Sequence, residues 1–334
     1  MRVAINGFGR IGRTVFRILD KRAGMDVVAI NDLFDPAALA YLLKYDTVMG
    51  RFGSAVSVEE GYLKTPGSTV KMLAERDPGA LPWKEMGIDI VVESTGIFVT
   101  REQLQTHLDA GAGRVVLTVP AKDDIDYMVV IGVNEDGLKP EHRIVSNASC
   151  TTNCLAPMAR VLHEAFGIVE GIINTVHAYT NDQRLADVPH KDWRRSRAAA
   201  ENIIPTTTGA AKAVGKIMPE LAGKLDGIAS RVPVPDGSVV DLVCELEKEV
   251  TVEDIHAAVR EAAATPRLKN ILAYSSLPIV STDIIGDPHS SIYDAPFTRV
   301  SGGHFVKTLN WYDNAWAYSN RVVDLIQLMG NGNA

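Results

Sequence analysis

The chain of 334 residues has only three cysteines, Cys150, Cys154 and Cys244. An odd number cannot all pair, and the two close ones fall on one stretch of helical spacing, so a disulfide framework is disfavoured and a reducing cytoplasm is the expected setting. Long apolar runs are missing too. No stretch of about 18 apolar residues occurs, and Met1-Arg2 leads directly into Val3-Ala4-Ile5 without an apolar leader, which argues against membrane spanning and secretion. Positive charge is in deficit: 34 Lys and Arg against 41 Asp and Glu leave a net charge of -7, unlike a dedicated binder of nucleic acid or of an anionic membrane. There is no paired C-x-x-C, no H-E-x-x-H and no Asp/Glu-rich calcium loop, so no metal site is expected. Internal repeats and low-complexity tracts are also lacking, and the end from Gly330 to Ala334 reads as a frayed tail. What is present is 46% hydrophobic residues over a length that suggests two domains rather than one core.

The first half carries a dinucleotide-binding pattern. Val3-Ala4-Ile5-Asn6 reads as a buried strand, Gly7-Phe8-Gly9-Arg10-Ile11-Gly12 follows at once, and Ile11, Val15, Ile18 and Leu19 then mark one helix face. In this context each glycine has its own physical role, with Gly7 for the tight turn, Gly9 for backbone approach to a pyrophosphate and Gly12 for close packing of helix on sheet. A second apolar strand, Val27-Val28-Ala29-Ile30-Asn31, ends at Asp32, twenty positions after Gly12, where a ribose-binding carboxylate belongs. Such a carboxylate would repel a 2′-phosphate and favours NAD over NADP. Further strands are expected at Ile88–Val92, Val115–Thr118 and Met128–Ile131, giving a doubly wound parallel sheet with Ser94-Thr95-Gly96 and Thr118 toward the cofactor crevice.

The second half changes character. Strand-like runs at 169–176, 228–232, 239–247 and 304–311 predict a mostly antiparallel sheet, in which alternation makes Cys244 a core residue. Thr251-Val252-Glu253-Asp254 forms a capping box opening a helix through Ala264, and a last helix carries Tyr318, Val322, Leu325, Ile326 and Met329. Between the halves, the β-branched run Ile144-Val145 breaks into Ser146-Asn147-Ala148-Ser149-Cys150-Thr151-Thr152, and Leu155, Met158, Leu162 and Phe166 then recur at helical spacing, with Pro157 an expected irregularity. Cys150 therefore stands at a helix start, where a thiolate is favoured. Cys154, one turn on, is a packed neighbour. His177, at the end of an apolar strand, is the histidine best placed to serve a reactive thiol as base or ion-pair partner. The basic loop from His190 to Arg197, the run from Pro205 through Thr208 and Gly209 to Ala210, and Arg231 supply guanidinium forks, hydroxyls and glycine N–H groups, a set suited to two anion sites.

With these residues in view, the chain resembles the phosphorylating glyceraldehyde-3-phosphate dehydrogenases along essentially its full length. The resemblance rests on Asn6 to Arg13, Ser149 to Cys154, His177 with Thr180-Asn181-Asp182, Thr206 to Lys212, Arg231-Val232-Pro233 and Trp311-Tyr312-Asp313-Asn314. It implies an α/β Rossmann-type NAD-binding domain over residues 1–149, an α+β catalytic and oligomerisation domain with a mostly antiparallel sheet over 150–314, and a C-terminal helix at about 315–334 packed back on the first domain. It also implies NAD as cofactor, glyceraldehyde 3-phosphate and inorganic phosphate as substrates, and a homotetramer, because the stretch from about Thr180 to Arg197 resembles a family loop that packs near a neighbouring subunit's cofactor. Cys150 would be the nucleophile and His177 its base. Thr180 and Arg231 would hold the substrate's phosphate, and Ser149, Thr151, Thr208 and Gly209 the attacking phosphate, with Arg195 the best match to a phosphate-linked arginine between Arg194 and Arg197. Arg10 and Ile11 match the pyrophosphate turn, Asn314 the residue that fixes the nicotinamide carboxamide, and Arg76 and Thr118 positions near adenine and nicotinamide ribose.

The chain departs from the family pattern at Ala315 and Ala317, where glutamate and glycine are usual, and at Val188, where leucine is frequent. Erythrose-4-phosphate dehydrogenase is the nearest rival, favoured by Asp287-Pro288-His289-Ser290 and Arg299-Val300-Ser301-Gly302. Thr180 and Thr207-Thr208-Gly209 speak for the glyceraldehyde enzyme instead. A non-catalytic NAD- or RNA-binding protein on the same fold would have no need of Cys150 and His177.

Overall fold

The structure is a computed structural model that describes residues 1–330. The chain forms two compact units: the first holds residues 1–129, 135–148 and the segment from Ser319 on, the second residues 130–134 and 149–318. Gly330 closes the last helix, Trp316–Gly330, and the rest of the expected frayed tail, 331–334, lies outside the described residues.

In the first unit, strand Arg2–Asn6 is buried from Val3 onward, as its unbroken apolar run requires of a strand inside a parallel sheet. It pairs in parallel with Asp26–Asn31 on one side and Ile90–Glu93 on the other. Beyond Ile90–Glu93 lie Arg114–Leu117, Ile144–Ser146 and Tyr127–Met128; beyond Asp26–Asn31 lie Thr69–Leu73, Tyr62–Lys64 and Ser57–Glu59, the last two antiparallel. The strand order thus reverses at Arg2–Asn6, and a crevice opens at such a switch point in α/β sheets. One core cluster packs Leu81, Trp83, Ile88, Val91 and Ala112 with Ala4 and Ala29. Another sets Leu104 and Leu108 of helix Arg101–Asp109 against Val115, Leu117 and Ile144.

The strand expected at 128–131 is shorter than its apolar run. Pairing covers Tyr127–Met128 and ends with a bond from the Val129 N–H to the Ser146 carbonyl at 2.9 Å. Gly132 then turns at φ +89°, and Arg160 and Arg267 claim the Gly132 and Val133 carbonyls, so the backbone is satisfied by guanidinium groups instead of a neighbouring strand.

In the second unit, helix Cys150–Phe166 buries Leu155, Met158 and Leu162, and Ser149 caps it by accepting the Thr152 N–H at 3.0 Å. Pro157 does not interrupt it: the missing N–H removes only the bond to the Asn153 carbonyl. The helix packs on a sheet ordered Ile204–Thr207, Leu225–Val232, Ile168–Ala178, Ser238–Leu246, Phe305–Tyr312, Ser291–Asp294 and Leu272–Ser275, with Arg299–Ser301 beside Phe305–Tyr312. Two neighbouring pairs are parallel and the rest antiparallel. The run Ile204–Thr207 is an edge strand, a sheet position where Pro205 is tolerated because one side of the strand has no ladder bond to make. Helix Val252–Ala264 opens with the expected Thr251 and Asp254 box.

Candidate active site

The thiol is presented by a sharp local turn. Ala148 adopts φ +55°, a left-handed conformation that a residue with a Cβ takes only under constraint, and Ser149 returns to extended backbone as the N-cap. Cys150 is therefore the first helical residue, and its N–H belongs to the helix-end amides that lack an intrahelical acceptor.

His177, near the end of strand Ile168–Ala178, reaches this thiol: Nε2 lies 3.4 Å from Cys150 Sγ. Its Nδ1 is 2.6 Å from the Ala178 carbonyl. The carbonyl can only accept, so its closer approach places the proton on Nδ1 and turns the Nε2 lone pair to the thiol, while Arg231 Nη1, 3.1 Å from the same Nδ1, adds positive charge there and not a hydrogen bond. Burial, joined by the nearby Arg231 guanidinium, pushes the imidazole down to about 3, while burial pushes the Cys150 thiol up against the opposing pull of Arg231 and the Thr151 N–H. Both shifts favour a thiol beside a neutral imidazole, the arrangement in which His177 can serve as general base. Tyr312 packs edge-on against His177, with its Oη 2.8 Å from both Thr151 Oγ1 and Thr175 Oγ1.

Cationic groups surround the pair. Arg231 Nη1 donates to the Ala178 carbonyl at 3.1 Å and to Thr180 Oγ1 at 2.9 Å, while its buried Nε has no hydrogen-bond partner among the described residues. Arg195 is the arginine of the basic loop turned toward this cluster: Nη1 meets Asp182 at 2.6 Å and Nε meets Thr206 Oγ1 at 3.0 Å. Arg197 instead pairs with Asp187 at the surface. Asp182 also accepts from Thr180, so one carboxylate balances two guanidinium groups in a space where oxyanions could replace it. Thr208 Oγ1 accepts the Ala210 N–H at 3.2 Å, and Gly209 is the N-cap of helix Ala210–Ile217, which packs on the Cys150 helix.

The glycine turn stands in the first unit. Gly7 has φ +91°, and a Cβ there would lie 2.6 Å from the Thr95 nitrogen. A Cβ on Gly12 would overlap the Gly7 carbonyl, whereas one on Gly9 would meet nothing. Helix Arg10–Leu19 begins without a side-chain cap and without an acid in its first turn, which suits a pyrophosphate at its end. Asp32 accepts the Phe8 N–H at 2.7 Å and the Phe34 N–H at 3.1 Å, so it braces the turn as well as closing its strand. Arg76 is exposed, and the buried Thr118 hydroxyl donates to the Glu93 carbonyl at 3.1 Å.

Residues 1–101 match the family model described as glyceraldehyde 3-phosphate dehydrogenase, NAD binding domain, and residues 149–314 the one described as glyceraldehyde 3-phosphate dehydrogenase, C-terminal domain. The chain belongs to the glyceraldehyde 3-phosphate dehydrogenase family. It is 59% identical over 326 residues to the glyceraldehyde-3-phosphate dehydrogenase of Geobacillus stearothermophilus, covering 97% of each chain. It is 56% identical over 333 residues to that of Streptomyces coelicolor, covering 99% of each, and 56% identical to that of Borreliella burgdorferi, covering 98% of this chain and 99% of the relative.

Within this dehydrogenase fold, Cys150, His177, Thr180, Arg195 and Arg231 converge through the contacts above, and Ser149 and Thr151 flank the thiol, although their hydroxyls are already engaged by Thr152 and Tyr312. Asn314 is buried in the same unit, its Oδ1 held by Ser238. Gly7, Gly9, Arg10, Ile11, Gly12, Asp32, Arg76 and Thr118 all lie in the first unit. Sequence reasoning missed the part of Tyr312, which lies inside the Trp311 to Asn314 motif, and of Ser238, for which one serine in an apolar strand gives no signal. Ala315 and Ala317, where the family pattern has glutamate and glycine, are buried.

Proposed function

We propose that this chain oxidises glyceraldehyde 3-phosphate with NAD and traps the acyl product with inorganic phosphate as 1,3-bisphosphoglycerate, a step of glycolysis and gluconeogenesis. The observation that carries the reading is the Cys150 thiol facing the His177 Nε2 lone pair beside two partly buried arginines. His177 Nε2 takes the thiol proton as Cys150 Sγ bonds to the aldehyde carbon, and returns it to the former carbonyl oxygen, giving a hemithioacetal. The Cys150 N–H holds that oxygen as charge develops on it. Gly7, Gly9, Arg10, Ile11, Gly12 and Asp32 would hold NAD, with Arg76, Thr118 and Asn314 toward its other groups, and the cofactor would supply the hydride acceptor that a thioester requires. His177 removes the hydroxyl proton in that oxidation. A phosphate oxygen, guided by Ser149, Thr151, Thr208, Gly209 and Arg195, then attacks the thioester carbon, and Cys150 departs as a thiolate that recovers the proton from His177. Thr180 and Arg231 hold the substrate's own phosphate throughout.

NADH formation should require both glyceraldehyde 3-phosphate and inorganic phosphate and should vanish in Cys150→Ser; equal rates in the two proteins would end the thiol mechanism. The names of the relatives favour this substrate over erythrose 4-phosphate and favour an enzyme over a non-catalytic binder.

A homotetramer is supported by the sheet of the second unit. Its face away from the Cys150 helix presents Ile172, Ile228 and Phe305, each at least half exposed, and the stretch from Thr180 to Arg197 presents Leu185 and Trp193, both above 85% exposed. Apolar area of this extent suits contact with further copies of the chain. A cytoplasmic setting suits the three free thiols, and no helix among the described residues is long and apolar enough to cross a membrane.

A further inference from the structure

The mechanism above leaves unused a set of buried polar groups around Asn314. Asp236, Ser238 and Asp313 are each no more than 1% exposed. Ser238 Oγ accepts the Ala178 N–H at 3.0 Å and donates to Asn314 Oδ1 at 2.8 Å. The bond fixes which end of the Asn314 amide faces Ser238, so that Nδ2 and its hydrogens stand on the opposite side. Ala178 is itself the residue whose carbonyl takes the His177 Nδ1 proton and an Arg231 hydrogen. One hydroxyl therefore joins the strand end bearing the base to the amide of Asn314.

The backbone on either side of Asn314 is held by two acids. Asp236 Oδ1 accepts the Gly237 N–H at 2.9 Å and the Asn314 N–H at 3.2 Å. Asp313 accepts the Gly286 N–H on Oδ2 and the Ala315 N–H on Oδ1, both at 2.8 Å, and its side chain is also hydrogen-bonded to that of Asp236. Ionised carboxylates only accept, so a bond between two of them requires a shared proton. Burial raises the proton affinity of Asp313, in keeping with one proton retained by the pair.

We propose that Ser238 and the Asp236–Asp313 carboxyl pair are positioning groups that lock the Asn314 amide with Nδ2 toward the nicotinamide carboxamide oxygen and tie it to the strand end carrying His177. The proposal rests on the reading of Asn314 as the carboxamide partner. Removing the Ser238 hydroxyl frees the amide to rotate and leaves a buried acceptor unpaired, so hydride transfer should slow while aldehyde binding is spared.

The test is the pre-steady-state burst of NADH in the holoenzyme, with KM for NAD and for glyceraldehyde 3-phosphate, in Ser238→Ala, Asn314→Ala, the double variant, Asp236→Asn and Asp236→Ala. Ser238→Ala should slow the burst by about tenfold with the aldehyde KM within about twofold, and should add nothing in the Asn314→Ala background. Asp236→Asn replaces the shared proton with an amide hydrogen and should keep the burst, whereas Asp236→Ala should slow it. The infrared difference between wild type and Asp236→Asn at neutral pH should contain a carboxylic-acid carbonyl band. Equal slowing by Ser238→Ala with and without Asn314, or no slowing at all, would overturn the proposal while leaving the role of Asn314 intact. An Asn314→Ala protein with unchanged burst and NAD KM would overturn that role and the proposal with it. If Asp236→Ala fails to fold, Ser238→Ala and Asp236→Asn decide alone.

Discussion

The glycine turn of the first unit and the thiol cluster of the second are both built for anionic groups, by opposite means. The turn offers backbone: an uncapped helix start and a glycine at φ +91°, braced by Asp32 on the Phe8 N–H and by Arg13 on the Phe8 carbonyl. The thiol cluster offers partly buried cations, Arg231 and Arg195, balanced by Asp182 until oxyanions arrive. A backbone site tolerates side-chain chemistry around it but no added Cβ inside it. A side-chain site tolerates small changes of shape but no change of charge or proton position. The two should fail differently when altered.

The largest effect is expected where proton position matters. His177→Asn should slow acylation by roughly 10²–10⁴-fold, the usual reach of general acid-base help. A loss under tenfold in a single-turnover NADH burst would remove His177 from the role of base. The same variant has a stability readout. His177 is held down to about 3 from an ordinary 6.5, so between those values the unfolded chain binds a proton that the native state refuses. The wild-type protein therefore loses stability as pH falls below about 6.5, and the slope of Tm against pH in that window should be shallower in His177→Asn.

The second effect separates two glycines of one turn. A methyl group on Gly12 would overlap the Gly7 carbonyl, so Gly12→Ala should lose about 1–3 kcal/mol of stability, seen as a lower Tm with and without NAD. On Gly9 a methyl group meets nothing in the protein, so Gly9→Ala should keep its Tm and weaken NAD binding alone. Equal Tm losses in the two variants would show that the turn is not divided between packing and ligand approach.

The same contrast explains what could be read from sequence. The turn was legible, from Gly7 to Asp32, because backbone chemistry is written in consecutive residues: strand, glycines, helix and acid at a set spacing. Cys150 was legible as a helix start, and His177 as a strand end. Their 3.4 Å approach, the Nδ1 proton on Ala178 and the choice of Arg195 over Arg197 depend on sheet register between distant segments and had no local sign. The family resemblance supplied those partners in advance, and physical patterning alone nominated them without joining them. Ser238 shows the limit: it lies in an apolar strand, and its hydroxyl gains meaning only when Ala178 and Asn314 come to either side.

Asp32 lies where the two kinds of site meet, since it is a charged side chain serving a backbone turn. Its charge should repel a 2′-phosphate, and its Oδ2 accepts the Phe8 N–H at 2.7 Å. Asp32→Gly removes both functions and Asp32→Asn only the charge. Both variants should admit NADP. Asp32→Gly should also raise the KM for NAD by about tenfold over Asp32→Asn, because the Phe8 N–H loses its acceptor and the turn its brace. Equal NAD constants in the two variants would mean that Asp32 acts on the ribose alone. An unchanged preference for NAD in both would move cofactor selection to another part of the turn.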